Sequence, residues 1–379
     1  MNVGQFNTTN KGYILSGFEY FVPGKNWVDP YAGNGDLLEW AYAHGASSIE
    51  GYDVDASKVS GVVKQRDTLL APVDLSDKFL IANPPFLARN KNKDKTLYDK
   101  YGQDDLYKIA VLTTQSCLGG IFILPVNMLS SLYANSIRDI FFKNFEILRC
   151  KIFEESVFAN TDYTVCAFLF QKKAGISKIP VIFSPSSLQK EFSISEKHHW
   201  ILGEEFYEYL DGVNFQGIGR WTEKNGLSND GICGKVFIND FVKKKVVKDD
   251  VVTNGPKFVC FKPEILEDII LLRSIDTGTH QGRIGLYDIR KFAFDDVYPV
   301  LLGLETSRNL AHVRFEKKLS IDRQLEIIGR VNEKLEDFRQ KYNSVFLTAF
   351  RNSTKEYSRK RISFEVVYQM ISKENATFG

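Results

Sequence analysis

Short apolar runs separated by amphipathic stretches fill the first half of this chain, and that alternation is the strongest constraint on its fold. Trp27 and Val28 lead into DPYAGNG, after which Leu37, Leu38, Trp40 and Ala41 fall on one helical face. Ile49 to Asp53 reads as a second strand, followed by a short helix near Ala56 and a third strand at Val62 to Gln65. Phe79 to Ala82 comes next, then a helix from about Asp104 to Cys117, then the apolar strand Ile121 to Leu124 closed by Pro125. Strands that alternate with helices build a parallel sheet covered on both faces. After a helix near Ser130 to Phe142, the runs Ile147 to Phe153 and Thr164 to Phe170 are close enough in sequence to pair antiparallel at one edge.

In a doubly wound sheet, ligands bind beyond the carboxyl ends of the strands, near the point where strand order reverses. Gly33 and Gly35 fall directly after the first strand, where missing side chains let backbone N–H groups approach a ligand; a turn needing two glycines would look the same. Asp53 ends the second strand, a position from which an acid can accept hydrogen bonds from ribose hydroxyls. Asp67 follows the third. Asn83, Pro84, Pro85 and Phe86 end the fourth, and neither proline has an N–H to continue a ladder. A turn would suffice for one strand end. Four successive ends carrying a glycine loop, an acid, an acid and an Asn-Pro-Pro-aromatic point to a shared ligand site.

Composition bounds the rest. The chain has 379 residues, 44% hydrophobic and 25% charged, which suits a two-domain protein with a sizeable core. No apolar run is long enough to span a bilayer, and MNVGQFNTTNKGY does not read as a secretory leader, so a cytoplasmic or intracellular protein without a membrane partner is expected. Cys117, Cys150, Cys166, Cys233 and Cys260 are odd in number and lack a CxxC pair, which argues against disulfides and a zinc site; no metal is expected. Net charge is only +2, so nucleic-acid contacts must rest on local groups. Three stand out: Arg89, Lys91, Lys93 and Lys95; Lys243, Lys244, Lys245 and Lys248; and Arg351, Lys355, Arg359, Lys360 and Arg361. Each, taken singly, also fits a solvated face.

These motifs, in this order, resemble those of γ-class N6-adenine DNA methyltransferases, similar to the Taq-type enzymes of restriction-modification systems. GQFNT at 4 to 8 resembles the segment that closes over the methionine end of S-adenosyl-L-methionine, which implies cofactor contacts from Phe6 and Thr8. DPYAGNG resembles the family's glycine loop, implying that Asp29, Gly33 and Gly35 border the cofactor. Asp53 matches the ribose-binding acid, Asp67 the acid that contacts the cofactor's adenine, and NPPF the catalytic tetrapeptide, whose Asn83 also borders the cofactor. YGQDDLYKIA, GGIFILP and VFANTDYTVCAFLFQKK continue the match, and Phe158 falls where the family has a second aromatic at the target base beside Phe86.

The resemblance implies a Rossmann-like methyltransferase sheet with an antiparallel edge over residues 1–175. A mixed α+β target-recognition domain would follow over 176–379. It also implies methyl transfer to N6 of an adenine flipped out of double-stranded DNA. The Asn83 side-chain oxygen and the Pro84 carbonyl would accept from the amine, Pro85 would stiffen the turn, and Phe86 would stack on the base. Phosphate contacts are expected from Arg89, Lys91 and Lys93, from Lys243, Lys244 and Lys245, and from Arg359, Lys360 and Arg361. Further partners implied are a cognate restriction endonuclease sharing the target sequence and, for assembly, none: a monomer is expected. Similar tetrapeptides also grip RNA bases or a protein glutamine, and a non-catalytic DNA-binding module is a third alternative. In the second half, Lys257 to Phe261 reads as a strand. Ser320 reads as the cap of a helix with the stripe Ile321, Leu325, Ile328, Val331, Leu335 and Phe338, taken as internal packing.

Overall fold

The computed structural model describes residues 8, 10–158, 163–239, 246–248, 251–253, 256–276, 283–292, 296–351 and 359–377, the strands 246–248 and 251–253 as backbone only. Two units are formed, Met1–Glu204 with Thr348–Ser358, and Glu205–Leu347 with Arg359–Gly379.

In chain order the first unit contains α1 (Lys11–Leu15), β1 (Asn26–Asp29), α2 (Asp36–Ala43), β2 (Ser48–Asp53), β3 (Val63–Gln65), β4 (Phe79–Ala82), α3 (Thr96–Tyr101), α4 (Leu106–Thr113), β5 (Gly119–Pro125), α5 (Asn127–Ser130), α6 (Asn135–Asn144), β6 (Phe145–Phe153), β7 (Val165–Lys172), β8 (Lys178–Ser184) and β9 (Gln189–Ser193). The nine strands form one sheet in the order β3-β2-β1-β4-β5-β7-β6-β8-β9. β1 to β5 are parallel, and β7 runs antiparallel between β5 and β6. This is the Rossmann-like α/β sheet expected from the alternation. Strand order reverses between β1 and β4, so their carboxyl ends open a crevice. β5 is buried along its whole length and β7 along most of it, because apolar runs without alternation suit strands covered on both faces.

Several element boundaries differ from the sequence reading. β6 and β7 do not form the sheet's edge: β8 adds parallel to β6 and β9 antiparallel to β8, so β9 supplies the antiparallel edge. The first unit therefore runs past residue 175, to Glu204. The helix read from Asp104 begins at Leu106, because the Asp105 side chain accepts from the Tyr107 N–H and caps it. The helix read from Ser130 is split by Ser131, which caps a 3-10 turn at Leu132–Ala134 ahead of α6.

The second unit contains α7 (Glu204–Leu210), β10 (Ile218–Arg220), α8 (Glu223–Gly226), β11 (Leu227–Ile238), β12 (Val246–Lys248), β13 (Val251–Thr253), β14 (Lys257–Phe261), β15 (Ile270–Arg273), β16 (Gly285–Asp288), β17 (Val297–Leu302), β18 (Leu310–Phe315), α9 (Ile321–Tyr342) and α10 (Phe364–Ala376). Its larger sheets have the orders β10-β18-β15-β16 and β14-β11-β17. Against the sequence expectation, Cys233 and Cys260 are joined as a disulfide. They lie 27 residues apart, yet the antiparallel register of β11 and β14 sets them directly opposite, a placement that spacing alone does not show. α9 starts at the expected Ser320 cap, but its buried face is Gln324, Ile327, Val331, Leu335, Phe338 and Tyr342. Ile321 and Leu325 are 43% and 39% exposed. Polar Gln324 takes the inward place because its amide accepts from the Ile269 N–H at 2.7 Å and donates to the Glu267 carbonyl at 2.8 Å.

Candidate active site

The crevice at β1 and β4 combines loop backbone with carboxylates, cations and apolar side chains. Asp29 ends β1 and is buried; its Oδ1 accepts from the Tyr31 N–H at 2.9 Å, while Oδ2 is buried with no hydrogen-bond partner among the described residues. Burial, with Asp53 nearby, pushes the Asp29 carboxyl up to about 8 although the Tyr31 N–H opposes the shift. Gly33 and Gly35 take positive φ angles of 53° and 85°, which lets the loop turn sharply into α2. Asp53, at the end of β2, ties this loop down: its Oδ2 accepts from the Gly33 N–H at 2.8 Å and its Oδ1 from the Asp55 N–H at 2.8 Å. Asp67 Oδ1 accepts from the Leu69 and Leu70 N–H groups at 3.1 and 3.0 Å. Gly33, Asp53, Asp67, Asn83 and Pro85 line one cleft together with Lys58 and Arg66.

β4 delivers the tetrapeptide to the wall of that cleft. Asn83 is buried, and its Nδ2 donates to Thr8 Oγ1 at 3.0 Å, which turns the amide oxygen to the opposite side. Pro84 is buried beside it. Phe86 faces a different space, a cavity of about 230 Å³ lined also by Asp105, Tyr107, Lys108, Pro125, Asn127 and Tyr163. The Tyr107 ring meets Phe86 edge-on at 6.4 Å and 85°. Asp105 clamps the exit of the tetrapeptide to α4, its Oδ1 accepting from the Leu87 N–H at 3.1 Å and the Tyr107 N–H at 3.3 Å. Burial pushes its carboxyl up to about 6, against those two N–H groups. Asn127 is held by its Nδ2, which donates to the Ala349 carbonyl at 2.6 Å. Asn83 and Pro85 thus line one cavity and Phe86 the next, with the tetrapeptide as the wall between them.

The structure brings Thr8, Asp29, Gly33, Gly35, Asp53, Asp67 and the tetrapeptide to one end of the sheet; Phe6 lies outside the described residues. Thr8 touches Asn83, which makes it a positioning residue for the tetrapeptide. Phe158 is buried and is not among the residues lining the second cavity; Tyr163 is. Arg89 pairs with Asp99 at 2.8 Å, Lys91 donates to the Tyr163 hydroxyl at 3.1 Å, and Lys93 is exposed. Lys243, Lys244 and Lys245 lie outside the described residues. Lys360 is only 6% exposed, with its ammonium on the Asn343 carbonyl at 3.1 Å, so it faces the interior of its unit; Arg359 and Arg361 flank it and are half-buried. Arg359–Arg361 form a short strand, in which alternation turns the middle side chain inward, and a run of three basic residues does not reveal this. Sequence reasoning did not single out Asp105, Tyr107, Asn127 or Tyr163. The helix-capping Asp105 ahead of an aromatic was the readable signal.

No family model matches the chain, and no curated protein matches it. Among solved structures, a putative type I restriction-enzyme modification subunit from Vibrio vulnificus is 18% identical over 55% of this chain and 52% of that one, with a TM-score of 0.41. The chain thus spans about half the length of that subunit. A putative class I S-adenosylmethionine-dependent methyltransferase from Listeria monocytogenes is 14% identical over 48% of this chain and 68% of that one, with a TM-score of 0.39. The type IIG restriction endonuclease BpuSI is 9% identical over 99% of this chain and 61% of its own, with a TM-score of 0.47. Likeness at these levels carries no argument about activity, which rests on the site itself.

Proposed function

We propose that this chain is an S-adenosylmethionine-dependent methyltransferase that modifies N6 of an adenine extruded from double-stranded DNA, as part of a restriction-modification system. One observation carries the reading: an Asn-Pro-Pro-Phe wall, in which Asn83, Pro84 and Phe86 are buried, separates a cleft holding Asp53 and Asp67 from an aromatic cavity. The cleft suits the cofactor. Asp53 and Asp67, which line it, are the proposed partners of hydroxyls and a purine edge, the Gly33 loop suits close backbone approach, and Asp29, outside that lining with a buried unpartnered oxygen, is the proposed partner of a cationic amine. When bound, S-adenosylmethionine supplies a sulfonium methyl group.

The remaining work falls to this chain. An exocyclic amine is a poor nucleophile because its lone pair is delocalised into the ring. Acceptors on both N–H groups favour a tetrahedral nitrogen with a localised lone pair. Asn83 Oδ1, oriented by Thr8, and the Pro84 carbonyl supply the two acceptors, and the prolines hold that carbonyl without offering a competing N–H. Phe86 stacks on the base, an interaction worth roughly 1–3 kcal/mol in single-strand sites. Extrusion costs a few kcal/mol, which contacts elsewhere must supply. Arg89, Lys91 and Lys93 after the tetrapeptide, Lys243 to Lys245, and Arg359 and Arg361 are the proposed phosphate contacts.

The test is methyl transfer from tritiated cofactor to genomic DNA, with the modified base identified by mass spectrometry and its sites mapped by sequencing. N6-methyladenine at a recurring sequence is the expected result. Label in RNA or in protein glutamine, with none in DNA, overturns the reading.

A further inference from the structure

Between β5 and α6 the chain makes the 3-10 turn Leu132–Ala134, whose tip holds two large side chains in solvent: Leu132 is 46% and Tyr133 84% exposed. The backbone beneath them is fastened from inside. The buried Lys108 ammonium donates to the Tyr133 carbonyl at 2.6 Å, and the fully buried Arg138 guanidinium donates to the Ser131 carbonyl at 2.7 Å and the Met128 carbonyl at 3.0 Å. An ordinary surface turn satisfies its carbonyls with water. Here two buried cations fix the turn while its apolar and aromatic tips stay uncovered. Tyr133 also stands where two spaces meet, lining both the cavity beside Phe86 and the open groove next to it that contains Arg89.

We propose that Leu132 and Tyr133 form a wedge that enters the duplex at the step vacated by the extruded base. The inference rests on the reading of the chain as a methyltransferase of duplex DNA. A base leaving a stack exposes the faces of its neighbours, and apolar or aromatic side chains inserted there cover them again. A flexible loop would have to be ordered at that moment. A turn already held by Lys108 and Arg138 is ordered beforehand, and the adjoining cavity receives the base.

The experiment uses the full chain and two synthetic duplexes that carry the mapped site, one fully paired and one with an abasic position opposite the target base. On the paired duplex, Tyr133→Ala is expected to lower kcat/KM about tenfold, equivalent to about 1.4 kcal/mol. Leu132→Ala combined with it lowers the rate further, and Tyr133→Phe restores the parental rate because the ring does the work. On the abasic duplex, where the base is already unpaired, each variant loses less than on the paired duplex, and what loss remains reports the share of Tyr133 in lining the base cavity. Equal loss on both duplexes overturns the wedge by showing a general defect, and no loss on either overturns it outright. A parent protein that methylates neither duplex defeats the underlying reading, and the wedge falls with it.

Discussion

The two cavities on either side of the tetrapeptide are made of different material. The cofactor cleft is assembled from strand ends, with Asp29, Asp53 and Asp67 each using an oxygen to hold nearby backbone N–H groups. The second cavity is assembled from side chains on helices and loops, with Phe86, Tyr107, Tyr133 and Tyr163 as rings in its lining. Strand ends in a buried sheet are rigid, so groups placed there suit a fixed, polar ligand. Aromatic side chains on separate elements suit a flat ligand that must enter and leave. On the proposed function, the difference separates binding of the cofactor from acceptance of the substrate, and the wall residues are where the two meet.

The hardest test of that division is the wall itself. Asn83→Ala is expected to lower methyl transfer by roughly 100- to 1000-fold, the scale for losing one preorganised hydrogen-bonding group at a reacting centre. Cofactor affinity by calorimetry should stay within a few-fold of the parent. Equal losses in both measurements break the comparison. Phe86→Ala, on the substrate side, is expected to weaken productive base binding by about 1–3 kcal/mol. Its mark is a raised KM for DNA with unchanged cofactor affinity, and a duplex carrying 2-aminopurine at the target should report a smaller extruded population.

Asp53→Ala acts on the opposite side. It removes two charge-assisted hydrogen bonds, one that anchors the Gly33 loop and one accepted from the Asp55 N–H, so a stability loss of about 1–3 kcal/mol is expected in urea unfolding. Cofactor affinity falls with it. An unchanged affinity would remove Asp53 from the cleft's binding role.

The smallest effect sharpens the comparison through pH. Burial raises Asp29 from 3.8 to about 8 in the folded chain. Between those values the folded state holds a proton that the unfolded state has released, so the contribution of Asp29 to stability is lost as pH rises through that window. Asp29→Asn is therefore expected to match the parent near the bottom of the window and to be the more stable protein above its top, followed by thermal unfolding. The same variant should bind the cofactor more weakly, since a cationic amine beside Oδ2 favours ionisation of the Asp29 carboxyl, whereas an amide cannot ionise. Parallel stability curves at all pH values would show that Asp29 does not carry the shift.

Much of the cleft was legible in sequence because its determinants are local. A strand followed by DPYAGNG, or FLIA followed by NPPF, places its own residues at a strand end, and β4 has the bounds read for it. The second cavity was less legible. Phe86 comes from the loop after β4, Tyr107 from α4, Asn127 from α5, and Tyr163 from the loop before β7, and no spacing rule connects them. In the second unit the same limit appears twice. The stripe on α9 was read by hydrophobicity, whereas the buried face turns on a glutamine that satisfies backbone groups. Lys360 sits in a basic run and is nonetheless buried against a carbonyl.

By itself, the sequence determined the alternation of strands and helices, the placing of an acid or a glycine loop at successive strand ends, and the rigid amide-bearing turn after β4. Those follow from periodicity and from the backbone limits of glycine and proline, which act over a few residues. Tertiary structure alone decided that β8 and β9 extend the sheet, that Cys233 meets Cys260, that Thr8 orients Asn83, and that Lys108 and Arg138 stiffen the turn bearing Tyr133. Most of these join residues distant in the chain, and such pairs are chosen by register and burial, which exist only once the sheet has formed.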